Sequence, residues 1–141
     1  MKDTIRIAAI HDLSGFGKCS LTVALPILSA SGVECACIPT ALLSTHTGGF
    51  TGYTFKDLSD EMLPIARHWK KEGVRLDGIY SGYLANPAQA ETISEIIDLL
   101  ATDAGSCHAL VVDYKTGDAG LSPEQIRSRH EMQANFYARV L

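Results

Sequence analysis

Several scarcities narrow what this sequence can be. No apolar run approaches the roughly 20 residues a membrane-spanning helix needs, and the opening MKDTIRIAAI passes straight into a strand-like pattern without a secretory leader. A cytoplasmic protein with no membrane partner is the expectation. Basic charge is also short: 12 Lys and Arg against 16 Asp and Glu give a net charge of −4, and only Lys70 and Lys71 are adjacent. That excludes the basic stripe expected of a nucleic-acid-binding face. The four cysteines, Cys19, Cys35, Cys37 and Cys107, form no C-x-x-C pair, so buried reduced thiols are expected rather than a metal knuckle or redox couple. His11, His68, His108 and His130 show no zinc-ligand spacing either.

A complete phosphate loop is missing too. HDLSGFGKCS, residues 11–20, carries Gly17-Lys18 and then Ser20, but the pattern G-x-x-x-x-G-K-[ST] needs glycine at 12 and a hydroxyl at 19. The chain has Asp12 and Cys19 there. A carboxylate repels phosphate, and a thiol is a poor ligand for a hard cation such as magnesium.

What is present reads as one globular domain of 141 residues, 46% apolar and 20% charged, enough to bury a core without covalent staples. β-branched apolar runs alternate with amphipathic stretches, the signature of βαβ units around a parallel sheet. A strand is predicted over residues 5–10, then a glycine-bearing loop, a helix over 18–31 stopped by Gly32, and a strand over 33–38. Residues 40–53, too polar and glycine-rich for a helix, read as an irregular or β-ribbon excursion over the sheet edge. Ser59 is placed as N-cap of a helix that runs to Gly73. A strand over 76–80 follows, and Asn86-Pro87 opens a helix through Leu100 with Ile93, Ile96, Ile97 and Leu100 as its apolar stripe. The strand HALVVD ends on Asp113. A loop, and a helix opened by Ser122-Pro123-Glu124 and running to Leu141, complete the chain. The fold class is α/β: three layers, α/β/α, around a mostly parallel sheet.

Ligands bind beyond the C-terminal ends of parallel strands, which brings Asp12, residues 44–49, Tyr83 and Asp113 toward one crevice. Asp12 can accept a hydrogen bond from a ligand hydroxyl or ring N–H, or it can cap the following helix. STHTGG, residues 44–49, suits a substrate-gating loop and equally a surface ribbon. His46 lacks any triad or metal-ligand companion, which favours a structural histidine. Asp113 and Asp118 suit Mg²⁺ held largely through water, or are two solvated loop acids.

Together, IHDLSGFGKCSLTVALPILSASGVECACIPTALLSTHTGGF, YSGYL and LVVD resemble, in order and spacing, the pyridoxal/pyridoxamine kinases of the ribokinase-like superfamily, from about residue 7 to 113. The resemblance implies ATP-dependent phosphorylation of the 5′-hydroxymethyl group of pyridoxal, pyridoxine or pyridoxamine. Asp12, Thr47 and Tyr83 would contact the substrate, Asp113 would bind ATP, and Asp113 with Asp118 would serve the metal, with Mg²⁺ and a monovalent cation as cofactors. Residues 40–53 would form a lid, and the protein would be a homodimer.

The chain also departs from that family. Classical members carry Ser where this chain has Asp12, whereas hydroxymethylpyrimidine kinases have an acid in this loop. Tyr114-Lys115-Thr116 replaces the expected Pro-Val. The G-x-G-D motif that supplies the family's catalytic base does not occur, so no catalytic residue is named. The expectation is therefore the substrate-binding N-terminal half of such a kinase, with residues 114–141 as a divergent tail, either truncated or frame-disrupted. The alternatives are a non-catalytic vitamer-binding or subunit-interaction module, and a relative of the hydroxymethylpyrimidine kinases.

Overall fold

The structure is a computed structural model that describes residues 4–82, 87–101 and 108–111. Among the described residues five strands form one sheet in the order β3-β2-β1-β4-β5. They are β1 (Arg6–Phe16), β2 (Glu34–Thr45), β3 (Phe55–Asp57), β4 (Gly78–Ser81) and β5 (His108–Val111), interleaved with α1 (Leu21–Ala30), α2 (Ser59–Lys71) and α3 (Pro87–Ala101). β1, β2, β4 and β5 run parallel, and only β3 is antiparallel, paired to β2.

The order of strands fixes where the helices go. From β1 the chain moves to one side to reach β2 and later returns past β1 to reach β4 and β5. Right-handed crossovers then put α1 on one face and α2 and α3 on the other, giving the three layers read from the sequence. The reversal between β1 and β4 is the switch point at which such sheets leave a crevice.

The main core lies on the α2/α3 face. Ala8, Ile10, Ile38 and Ile79 from the sheet meet Met62 and Ala66 of α2 and Ile93, Ile96 and Leu100 of α3, all buried. The α3 stripe is the one the 3.6-residue period predicts, with Ile97 packed at its margin.

Two strands differ from the sequence reading. β1 does not stop at Ile10 but runs to Phe16, so DLSGF is strand rather than loop. β2 likewise continues through Thr45. Glycine and polar side chains weaken strand propensity locally, yet pairing Leu13 with Leu42, Ser14 with Leu43 and Phe16 with Thr45 supplies ladder hydrogen bonds that no local signal reveals. The register slips by one residue between His11 and Leu13, a bulge whose extra residue lies in β2. The carbonyl of Thr40 there accepts from the Leu58 N–H at 3.0 Å and from Gln89 Nε2 at 3.5 Å. The same Gln89 nitrogen donates to Ser59 Oγ at 2.9 Å, which ties α3 to the start of α2.

Helix starts are corrected as well. Ser59 is the first residue of α2 rather than its N-cap. Asp57 performs the capping, accepting from the Ser59 N–H at 2.7 Å and from its hydroxyl at 2.5 Å. α1 begins at Leu21, three residues later than predicted. The predicted helix over 122–141 lies outside the described residues.

Candidate functional site

The C-terminal half of β1 carries a polar cluster at the switch point. Asp12 Oδ1 accepts from Ser20 Oγ at 2.7 Å and lies 2.8 Å from His11 Nδ1. Among the described residues its Oδ2 has only Ser14 Oγ, at 3.3 Å. Burial is the largest single influence on this carboxyl and pushes its pKa up. The hydrogen bonds from His11 and Ser20, the charge of His11 and the bond from Ser14 together outweigh it, and the carboxyl sits below its ordinary value. Asp12 is therefore a half-buried, ionised acceptor, held firmly by one oxygen and loosely by the other.

Ser20 shows what that arrangement costs. It precedes α1 at φ 58°, where a β-carbon is strained, and its hydroxyl makes no capping bond to α1. The hydroxyl goes to Asp12 instead. Lys18 is also left-handed at φ 40°, so the segment between β1 and α1 is bent sharply at two non-glycine residues. Strain held by its surroundings is commoner at functional sites than elsewhere. Sequence reasoning assigns Ser20 no site role because residues 18–31 read as helix, which places it inside the first turn rather than before α1.

His11 sits beside this cluster under Gly82. A β-carbon at position 82 would come within 2.0 Å of the His11 ring, so only glycine fits there. The Gly82 N–H also donates to the Ile10 carbonyl at 3.0 Å, fixing the end of β4 against β1. The Tyr80 ring lies 6.3 Å from that of His11. Burial, followed by the charges of Cys19 and Cys35, raises the Tyr80 pKa.

Thr47 belongs to a second, separate grouping. It is exposed in the turn after β2, and that turn is tied to the tip of β1 by the His46 N–H donating to the Phe16 carbonyl at 2.8 Å. Phe16 is four residues beyond Asp12, about 13 Å along a strand. No hydrogen bond joins Thr47 to Asp12 among the described residues. His46 Nδ1 accepts from the Gly48 N–H at 2.8 Å, and its ring stands edge-on to Phe50 at 6.3 Å. That is a turn-building role, in line with a structural histidine. Tyr83, Asp113 and Asp118 lie outside the described residues. Among the described residues no group of three or more His, Cys, Asp or Glu could hold a metal ion, and no helix is long and apolar enough to cross a membrane.

Neither protein-family profiles nor the curated proteins give a match to the chain. Solved structures do. A Bacteroides thetaiotaomicron protein assigned as a phosphomethylpyrimidine kinase is 39% identical over 93% of this chain, with a TM-score of 0.75, and this chain spans 46% of it. Its crystal form with pyridoxal aligns at 37% identity over 92% of this chain and 46% of that one, with a TM-score of 0.73. Pyridoxal kinase from Lactobacillus plantarum aligns at 26% identity over 93% of this chain and 47% of its own, with a TM-score of 0.67. Leishmania donovani pyridoxal kinase, in complex with ADP and pyridoxine, shares the fold at a TM-score of 0.68 and 20% identity, covering 92% of this chain and 47% of that one. With the three-layer sheet and the strand-end cluster, these similarities place the chain in the ribokinase-like family of pyridoxal and phosphomethylpyrimidine kinases, of whose members it spans about half the length.

Proposed function

We propose that this chain is the acceptor-binding part of a B6-vitamer kinase, holding pyridoxal, pyridoxine or pyridoxamine for phosphorylation by ATP. The observation that carries the reading is the Asp12 cluster. An ionised carboxylate with one loosely held oxygen stands at the switch point, in a chain 37% identical to a protein crystallised with pyridoxal. Asp12 would accept from a polar group of the ring, and Thr47 and Tyr83 would complete the substrate contacts.

In the proposed reaction the oxygen of the 5′-hydroxymethyl group attacks the γ-phosphorus of ATP. The bond from that phosphorus to the bridging oxygen of ADP breaks, and the hydroxyl proton is released. Such transfers depend on positioning and charge stabilisation rather than on covalent chemistry by the protein. Asp113 would serve ATP, and Asp113 with Asp118 would serve Mg²⁺, with a monovalent cation as a further cofactor. The sequence has no G-x-G-D, so proton removal from the acceptor is assigned to no residue of this chain. Binding is therefore expected of the 141 residues by themselves, and transfer is expected only when the remaining length of such a kinase is present. The protein would be a cytoplasmic homodimer joined through its β2–β3 ribbon.

The second reading, a hydroxymethylpyrimidine kinase, is favoured by the acid at position 12 and by the assignment of the Bacteroides protein. Titration calorimetry with pyridoxal, pyridoxine, pyridoxamine and hydroxymethylpyrimidine separates the two, and incubation with Mg·ATP reports turnover. Saturable vitamer binding that Asp12→Asn weakens about tenfold or more is the expected result. Pyrimidine binding alone would transfer the assignment to the second reading, and no binding of either class at millimolar concentration would overturn both.

A further inference from the structure

His11 is mostly buried, its side chain 14% exposed, yet neither zinc-ligand spacing nor a triad gives it a task. Three features fix its ring. Gly82 closes over it, Tyr80 lies beside it at 6.3 Å, and its Nδ1 stands between two groups of one residue, the Asp12 carboxylate at 2.8 Å and the Asp12 backbone N–H at 2.9 Å. One ring nitrogen cannot donate to the first and accept from the second. The carboxylate is the charged partner, so the arrangement with the proton on Nδ1 is the stronger. The ionisable groups beside it are Asp12 on β1 and Tyr80 on β4, and Tyr80 in turn feels Cys19 before α1 and Cys35 on β2. No Lys or Arg acts on Asp12 among the described residues.

We propose that His11 is a positioning residue for ring recognition. With Ser20 it immobilises Oδ1 of Asp12 and leaves Oδ2, held among the described residues by Ser14 alone at 3.3 Å, as the acceptor for an N–H that the ligand brings on its own ring nitrogen. The ligand class is then a heteroaromatic ring in its N-protonated form, and an otherwise identical carbocycle is the molecule the site discriminates against. The inference rests on the B6-vitamer reading, in which Asp12 accepts from a polar group of the ring, and adds the residue that makes this contact selective. It also accounts for glycine at position 82, since any β-carbon there would displace the ring that orients Asp12.

The test measures binding of pyridoxine, and of its carbocyclic analogue lacking the ring nitrogen, to the 141-residue chain and to His11→Phe, His11→Asn and Gly82→Ala. His11→Phe keeps the bulk and removes the donor, whereas His11→Asn keeps a donor within reach. Pyridoxine affinity is expected to fall about tenfold in His11→Phe, the scale of one charge-assisted hydrogen bond. It should recover to within about threefold of wild type in His11→Asn, while affinity for the carbocycle stays unchanged throughout. Gly82→Ala should reproduce the His11→Phe loss. Equal losses in both His11 variants with unchanged thermal midpoints, or equal losses for both ligands, would overturn the proposal. Carbon-13 titration of the Asp12 carboxyl provides a ligand-free readout, with an upward pKa shift expected in His11→Phe. If wild type binds no vitamer but that shift appears, the B6 reading fails and the His11–Asp12 coupling stands. If wild type binds pyridoxine and neither affinity nor the Asp12 titration responds to His11→Phe, the coupling fails and the B6 reading stands.

Discussion

Ser20 combines two demands that a side chain before a helix seldom meets together: a left-handed backbone at φ 58° and a 2.7 Å hydrogen bond to a half-buried carboxylate. The two separate by mutation. Ser20→Gly relieves the strain and loses the hydroxyl, whereas Ser20→Ala loses the hydroxyl and keeps the strain. Urea unfolding should find the glycine variant about 1 kcal/mol more stable than the alanine variant, while both bind pyridoxine more weakly than wild type to a similar degree. Asp12 adds a pH dependence whose sign follows from its depressed pKa in the folded chain. Its contribution is fully present above the unfolded value near about 4 and is lost as pH falls through the folded value. The stability gap between wild type and Asp12→Asn, measured by urea titration, should therefore be largest near neutral pH and close progressively below about pH 4.

Among the elements, α2 shows how a capping residue can sit outside the position sequence rules assign to it. Ser59 satisfies the N-cap preference on paper, but the carboxylate two residues earlier takes both its N–H and its O–H. The bonds from Ser59 side chain and backbone hold the Asp57 carboxyl below its ordinary pKa. Asp57→Ala should cost about 1 kcal/mol in urea unfolding at neutral pH. Because the folded pKa is the lower one, that difference should shrink below about pH 4. Ser59→Ala should instead loosen the junction with α3, since Gln89 Nε2 donates to the same hydroxyl at 2.9 Å. Hydrogen exchange at the first turn of α3 is the readout.

For the molecule as a whole, the two faces of the sheet are unequally filled. The α2/α3 side holds the fully buried Ile10, Ile38, Met62, Ile93 and Ile96. On the other side Val23 and Ile27 of α1 remain exposed. Ile96→Ala should destabilise by about 2–5 kcal/mol, the range for opening a cavity at a fully buried aliphatic position, whereas Ile27→Ala should change stability little. Both follow from denaturant midpoints. The ribbon end of the sheet carries a second exposed set, Phe16, Leu42, Phe50, Tyr53 and Phe55, on and around the three-residue edge strand β3. Edges and apolar patches of this kind invite pairing with another chain. If the proposed homodimer forms there, sedimentation velocity should find a dimer that Leu42→Ser combined with Phe55→Ser converts to monomer, without loss of helical signal.

Much of this was legible in the residues themselves. Alternating β-branched runs and amphipathic stretches determined an α/β fold, the 3.6-residue spacing of Ile93, Ile96 and Leu100 determined which side of α3 is buried, and the HDLSG and STHTGG stretches marked where polar groups would gather. These are local properties of side chains and backbone, readable within one element. Tertiary structure alone decided the rest. β1 extends to Phe16 because β2 offers a ladder from some 30 residues away, and Ser20, inside a helix by local pattern, lies before α1 and bonds Asp12 because the chain bends back onto β1. His11 gains its place because Gly82, 71 residues later, leaves room for its ring. Such contacts join residues distant in sequence, and their energies depend on geometry that no window of neighbouring residues contains.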